Sequence, residues 1–143
     1  MANRTYEYNP INDSPVIVAT AGEALKTAAA VLLTKDGVKL PEAGKKATGI
    51  AVLENETVAK GDDITVQIRN QGMWTAGAAF DSGDFLAVDA EGFCQKAITG
   101  QYILAMALAP ATAKGDIVRV AIIHAGYDCL LYTSDAADEM RTV

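Results

Sequence analysis

The clearest hydrophobic pattern lies in residues 99–124, where two apolar runs flank a loop rich in Pro, Thr, Lys, Gly and Asp. This pattern predicts an antiparallel hairpin, and successive strand side chains point to opposite faces. In the first run, one face carries Tyr102, Leu104, Met106 and Leu108, and the other carries Ile103, Ala105 and Ala107. In the second run, one face carries Val118, Val120 and Ile122, and the other carries Ile117, Ala121 and Ile123, with Arg119 the only charge. Strands that are apolar on both faces are covered on both, by their own domain or by a partner.

The rest of the body continues as short β-runs. Residues 15–20 and 48–53 are predicted strands, and hairpins are predicted around Asp36-Gly37 and between residues 85–89 and 93–96. Residues 23–31 are rich in alanine and could be helix or strand. Many short strands with Gly-rich turns predict an all-β fold, a small barrel or sandwich of hairpins with at most one short helix.

One local motif occurs three times. A polar residue is followed by Gly-Asp and then by a strand that ends in valine, beginning at Lys60, Ser82 and Lys114. Glycine supplies the φ freedom that a tight turn needs, and aspartate can accept bonds from nearby backbone amides. Because the spacing is uneven, we interpret the motifs as turn-to-strand junctions and not as the repeats of a solenoid.

The two ends differ from the β-rich body, which we assign to residues 15–128. Residues 1–14 carry Asn, Asp and Pro with isolated apolar anchors. They predict an N-terminal arm, either a frayed terminus or a strand that orders on a partner's sheet edge. Residues 129–143 resemble translated adapter sequence, so we expect a non-native tail, in which case the native C-terminus could be missing. The alternative is a native tail with a short, capped helix around residues 134–140.

Composition narrows the class of partner. The 143 residues carry a net charge of -6 and their basic residues are scattered, which argues against a nucleic-acid partner. We find no signal-peptide pattern and no run that could span a bilayer, so we expect no membrane partner and synthesis in a cytoplasm. The cysteines, Cys94 and Cys129, have no metal or disulfide spacing, and Cys94 is expected to be a small buried hydrophobe.

Candidate chemistry is sparse. The sequence has neither a phosphate-binding Gly-Lys loop nor a nucleophile elbow. The single histidine, His124, could be a general base, but an edge or core histidine is the favoured interpretation. The acidic hairpin Asp81, Asp84, Asp89 and Glu91 could hold calcium, but it lacks the EF-hand order, and turn aspartates explain it better. We therefore predict no enzyme and no catalytic, cofactor or metal site.

Four stretches of residues 47–123 resemble one known family. They are residues 48–51 (Thr-Gly-Ile-Ala), residues 61–66 (Gly-Asp-Asp-Ile-Thr-Val), residues 83–92 and residues 103–120. In these turn-and-strand patterns the chain is similar to the capsid cement, or head decoration, proteins of tailed bacteriophages. The resemblance implies a β-rich body on the outside of a mature head, often as a homotrimer that bridges capsomers, without catalytic residues.

The resemblance also implies binding surfaces. In lambda-type members an N-terminal arm pairs with the capsid protein. By position, the matching capsid-binding arm here contains Tyr6, Tyr8, Asn9, Pro10 and Ile11. Trp74 and Phe80 are more often core residues, but if partly exposed they would be the best interface anchors. The expected oligomer or capsid interface is Trp74, Phe80, Ile117, Arg119 and Ile123.

Three hypotheses follow. The first is a structural virion protein, assembled in the host bacterial cytoplasm, that binds the major capsid protein on the exterior of an expanded head and stabilises the lattice. The second is a small β-barrel accessory module of a fibre or baseplate that binds carbohydrate or another ligand in a pocket lined by aromatics such as Trp74, Phe80 and Phe85. The third is an enzyme, which would need His124 or the acidic hairpin in a cleft.

Overall fold

Short strands and turns make up the part of the chain that the structure, a computed structural model, describes, which is residues 14–127. The strands are β1 Val16–Thr20, β2 Leu25–Lys26, β3 Ala30–Thr34, β4 Gly37–Lys39, β5 Gly49–Val52, β6 Thr57–Val58, β7 Asp63–Gln67, β8 Asn70–Thr75, β9 Phe85–Val88, β10 Cys94–Lys96, β11 Tyr102–Ala107 and β12 Ile117–Tyr127. These residues contain no helix, which confirms the all-β prediction. The predicted arm up to residue 13, Cys129 and the helix alternative near the C-terminus lie outside them.

Two five-stranded antiparallel sheets carry the fold. The first has the order β1-β7-β5-β3-β4 and the second β10-β9-β11-β12-β8, while β2 and β6 form a small third sheet. In each large sheet, one bridge links the two edge strands, Ala21 to Val38 and Ala76 to Cys94. Neither sheet closes into a barrel, so the fold is sandwich-like. The predicted hairpins β3–β4, β9–β10 and β11–β12 are all present.

The alanine-rich stretch at residues 23–31 is strand and turn. Ala28 has a φ of 55°, a left-handed conformation that ends any helix in an L-residue chain. Its N–H donates to the Ala51 carbonyl oxygen at 2.8 Å, and Ala51 donates back to Ala29 at 2.9 Å. These long-range bonds satisfy the backbone polar groups that a helix would have paired locally.

The two large sheets are the same unit repeated about 55 residues along the chain. We call residues 16–69 the first half and residues 70–127 the second half. In chain order, β1, β3, β4, β5 and β7 take the places that β8, β9, β10, β11 and β12 take in the second sheet. Equivalent backbone bonds recur: Ala21 donates to Asp62 and Ala76 to Asp116, at 2.8 and 2.7 Å. The sequence Ala-Lys-Gly-Asp stands at residues 59–62 and again at 113–116.

This duplication explains the uneven spacing of the Gly-Asp motifs. The motifs at Gly61 and Gly115 occupy equivalent turns, with φ values of 93° and 98° that favour glycine. The motif at Gly83 occupies a different place in the unit, the one that Ala28 takes in the first half. The interpretation as turn-to-strand junctions is correct, and the structure adds that two of the three junctions belong to a tandem repeat.

Each half has its own buried cluster, and the members correspond. The first half buries Ala21, Leu25, Val31, Val38, Ala51, Ile64 and Val66. The equivalent residues of the second half are Ala76, Phe80, Leu86, Cys94, Ala107, Val118 and Val120, all of them buried. The second cluster also includes Trp74 and three residues of the first half, Ala30, Ala47 and Ile50. It therefore joins the two halves as well as filling the second.

Trp74 is central to this joint cluster. It is fully buried, and its indole N–H donates to the Gly92 carbonyl oxygen at 2.8 Å. The same oxygen accepts the Ala30 N–H at 2.7 Å. One carbonyl therefore links the tryptophan of the second half to a strand of the first.

We expect Trp74→Phe to lower the free energy of unfolding by about 1–3 kcal/mol, because it removes the indole hydrogen bond and leaves a small cavity. The measurement is urea denaturation followed by circular dichroism. Phe93→Leu is the control, since the Phe93 ring is only half-buried and should cost less. Equal stability of Trp74→Phe and the wild type would contradict the assignment.

The turn at Asp116 holds a carboxylate whose hydrogen bonds predict a pH-dependent contribution to stability. The Thr112 N–H, the Thr112 hydroxyl and the Ala113 N–H donate to the Asp116 carboxylate, and these bonds lower its pKa below the ordinary 3.8. A carboxyl whose pKa falls on folding stabilises the fold above its unfolded pKa and loses that effect as pH drops through the folded value. We expect wild type to be more stable than Asp116→Asn at pH 7, and the difference to shrink below 3.8.

Urea denaturation at both pH values measures this difference. Asp62→Asn is the matched control, since Asp62 occupies the equivalent turn without these side-chain bonds. A difference for Asp116→Asn that is independent of pH would argue against a role of the charged carboxylate.

Candidate interaction surface

The exposed side of β12 carries three of the five predicted interface residues. Along this strand Val118, Val120 and Ile122 are buried, while Ile117, Arg119 and Ile123 are exposed. The neighbouring strand β8 places Met73 opposite Arg119. Ile117 is 56 % exposed and Met73 49 %. We call Met73, Ile117, Arg119 and Ile123 the β12 patch, a mostly apolar surface with one positive charge.

A second exposed apolar site lies on the same sheet face. Across the strands, Gln71 pairs with Ala121, Ala121 with Met106, and Met106 with Phe85. Phe85 is 49 % exposed and Met106 is partly exposed. We call Phe85 and Met106 the β9 patch. The residue pattern alone did not single out Met73 or Phe85 as interface residues, although alternation with buried Trp74 and Leu86 is the signal that could have found them.

Trp74 and Phe80 do not lie on this surface. Trp74 is fully buried and Phe80 is 6 % exposed, in the core of the second half. Phe80 also exchanges two backbone bonds with Ala111, at 3.1 and 3.0 Å. Their interface role depended on partial exposure, and that condition is not met. The correction follows from packing, since the Trp74 ring fills the joint cluster between the halves and the Phe80 ring fills the core of the second half.

The sequence predicts that both strands of the β11–β12 hairpin are covered on both faces. The structure shows this for β11 but not for β12. β11 is buried on both faces apart from Met106, and its cover comes from the chain itself. The pairing with β12 shifts between Ile103 and Ala105, so the simple alternation predicted for this run does not hold there. On β12 only one face is covered, which leaves the β12 patch open.

His124 lies where this register shifts, with a φ of 45°. Its Nδ1 is 2.8 Å from the Tyr102 hydroxyl and its Nε2 is 3.0 Å from the Ile68 carbonyl oxygen. A carbonyl only accepts, so a neutral ring must carry its proton on Nε2 and accept the tyrosine proton at Nδ1. Burial raises the pKa of the Tyr102 hydroxyl, which keeps that donor protonated. Both ring nitrogens are engaged, Nδ1 within the second half and Nε2 with the first half, an arrangement typical of a structural histidine.

We expect Tyr102→Phe to lower the free energy of unfolding by about 0.5–1.5 kcal/mol, because it removes the hydroxyl partner of His124 while keeping the ring. Chemical denaturation measures the change. His124→Ala should cost no less, and the double variant should cost less than the sum of the two, since both remove the same bond. Additive losses would show that the two side chains do not act together.

The acidic hairpin uses its carboxylates in turns. Asp84 accepts the Asp81 N–H at 2.9 Å, and Asp89 accepts the N–H groups of Glu91 and Phe93 at 2.8 and 2.9 Å. Glu91 pairs with Lys114 at 2.6 Å, which lowers the pKa of its carboxyl. Among residues 14–127 no group of three or more His, Cys, Asp or Glu side chains is arranged to hold a metal ion.

Neither Cys94 nor the cleft beside β5–β7 shows a recognisable catalytic arrangement. Burial raises the pKa of the Cys94 thiol to about 12, so it stays protonated, as expected for a buried hydrophobe. An open cleft of about 600 Å³ is bordered by β5, β6 and β7 and contains Glu54, Asp62 and Asp63. Its described lining has no aromatic side chain, unlike the pocket expected of a carbohydrate-binding module. In the described part of the chain, no helix has the length and apolarity to cross a membrane.

These features define a β-sheet protein that presents exposed apolar side chains on an open sheet face, a surface suited to another protein. Residues 11–122 match the family model of phage cement proteins, and the chain belongs to that family. This confirms the expected family, and with it a structural component of a phage particle.

A solved structure shows the same fold. The N base of the head fiber gp8.5 of bacteriophage phi29 superposes with a TM-score of 0.63 at 18 % identity, over 79 % of this chain and 97 % of that one. No curated protein sequence matches the chain.

Proposed function

We propose that the protein binds the exterior of an expanded phage head through the major capsid protein and stabilises the capsid lattice without catalysis. The β12 patch is the observation that carries this proposal. Ile117, Arg119 and Ile123 stay exposed on a strand whose opposite face is fully used by the core. Family membership supports the role of a cement, and the open face supplies a surface for it.

The energetics suit this role. A protein that binds only the expanded lattice stabilises that lattice by mass action. A homotrimer that touches several capsomers gains through effective concentration, so each contact can be weak. Arg119, surrounded by apolar side chains, would favour an acidic group on the capsid protein.

The N-terminal arm is the second part of the proposal. Tyr6, Tyr8, Asn9, Pro10 and Ile11 precede β1, which is an edge strand of the first sheet. An arm in this place can leave the body along a sheet edge and add a strand to the capsid protein. It would supply directional backbone bonds, while the β12 patch supplies apolar contact.

A second candidate function is an accessory module of a phage fibre. The similarity to a head fiber base favours it. The cleft bordered by β5–β7 would then be the ligand site, although its polar lining fits a sugar poorly without an aromatic platform.

We expect Ile117→Asp to weaken binding to expanded heads at least about tenfold, because it places a charge in the centre of an apolar contact. Co-sedimentation of the full chain with expanded and unexpanded capsids, both lacking their own cement protein, measures the binding. Val52→Asp is the matched control: Val52 is 48 % exposed but lies on the cleft, away from the β12 patch.

Equal binding of Ile117→Asp and wild type would exclude the β12 patch. Wild type that ignores expanded heads would exclude the proposed function. Loss of binding in Val52→Asp alone would favour the cleft and the fibre-module alternative.

A further inference from the structure

The two halves contact each other through one surface of the first half and a different surface of the second half. Because the halves are repeats, each also carries the equivalent of the surface that the other half uses, and these two equivalents are exposed. In the first half, residues 28–30 and Ile50 are buried, in part by the joint cluster with the second half. Their equivalents in the second half are residues 83–85 and Met106. Ala30 is 0 % exposed, whereas its equivalent Phe85 is 49 % exposed. The β9 patch is therefore the same surface without its cover.

The surface of the second half that covers the first half is buried, whereas the equivalent surface of the first half is more exposed. The second half covers the first with Trp74 and Val88, both fully or almost fully buried. Their equivalents in the first half are Ala19, which is partly exposed, and Leu33, which is 48 % exposed. Among residues 14–127, each copy thus carries one uncovered receiving surface, on the second half, and one unused covering surface, on the first half.

The side chains at these two surfaces are complementary in size. Inside the chain, the large Trp74 belongs to the same cluster as the small Ala30, and both bond to the Gly92 carbonyl. At the equivalent exposed surfaces the order is reversed, with the small Ala19 on the covering side and the large Phe85 on the receiving side. Each pair therefore combines one alanine with one large aromatic ring, and a similar total volume favours close packing.

Two backbone bonds of the internal contact have exposed equivalents. Thr75 donates to Ala28, and Gly44 donates to Val88, both at 2.8 Å. The same bonds between two chains would run from Thr20 of one copy to Gly83 of another, and from Gly100 to Leu33. Gly44 is buried, but Gly100 is exposed beside Ile98, an apolar side chain that is 65 % exposed.

We propose that the first half of one copy packs on the β9 patch of a second copy, in the geometry that joins the two halves within a chain. The contact is heterologous, since it uses different surfaces on the two copies, and it propagates until the copies close into a ring. This inference rests on the homo-oligomer of the proposed function and specifies the two surfaces that form its interface. It leaves the β12 patch free for the capsid.

The test uses two full-length variants, Phe85→Asp on the receiving surface and Leu33→Asp on the covering surface. Sedimentation velocity measures their size. Wild type should form a closed oligomer, and each variant alone should be monomeric, with self-association at least about tenfold weaker. Mixed in equal amounts, the two variants should form a heterodimer and nothing larger, because one intact receiving surface and one intact covering surface remain.

Met73→Asp is the matched control. Met73 is as exposed as Phe85, but its equivalent in the first half, Val18, is also exposed at 67 %, so this position lies outside the repeated contact. The control should form the wild-type oligomer. Circular dichroism checks that all variants fold, and all three substitutions fall on half-exposed side chains.

Several results would overturn the proposal. They are a monomeric wild type, unchanged oligomers of Phe85→Asp, a mixture of the two variants that stays monomeric, or loss of the oligomer in Met73→Asp. A wild type that oligomerises only after deletion of residues 1–13 would show that the arm of the same chain covers the patch. Ile117→Asp separates this proposal from head binding, since it should keep the oligomer whether or not it loses the capsid.

Discussion

The carbonyl group of Gly92 holds the two halves of the molecule together at the centre of their shared core. It accepts one hydrogen bond from the Trp74 indole and one from the Ala30 amide, and so joins the second half to the first. The position requires glycine, because its φ is 84° and a Cβ there would lie 2.6 Å from the Leu40 side chain and 3.1 Å from the Ala30 carbonyl. A five-stranded sheet of about 55 residues has a small core of its own. The shared cluster around Trp74 enlarges it.

The contact between the two halves determines which apolar surface remains exposed. Each half contributes similar strands, but only the first half has its outer face covered by a neighbour in the chain. The second half therefore shows Phe85 where the first half buries Ala30. A duplicated unit in one chain thus gains two different ends, which is the physical basis of head-to-tail contact.

The exposed face of β12 is the surface that the proposed structural role would use. β11 is central in its sheet and is buried on both sides apart from Met106, so it contributes only that side chain to the exposed face. β12 is covered on one side and presents the β12 patch on the other. His124 stabilises the strand where its register shifts, and the acidic side chains of the 81–91 hairpin hold turns. The titratable groups considered as catalytic candidates, His124 and the acidic hairpin, therefore make hydrogen bonds within the fold.

The sequence by itself determined the local elements. β-Branched and apolar runs placed β1, β5 and the hairpins, and the Gly-Asp motifs placed the turns before β7, β9 and β12, because strand propensity and positive φ values are local properties of the chain. Tertiary structure alone decided that Trp74 and Phe80 are core, that one face of β12 is open, and that residues 23–31 form strands. These outcomes depend on partners outside the local window, such as Gly92 for Trp74, which is 18 residues away, and Ala51 for Ala28. A pattern confined to a short window carries no information about which of two apolar faces such a partner will cover.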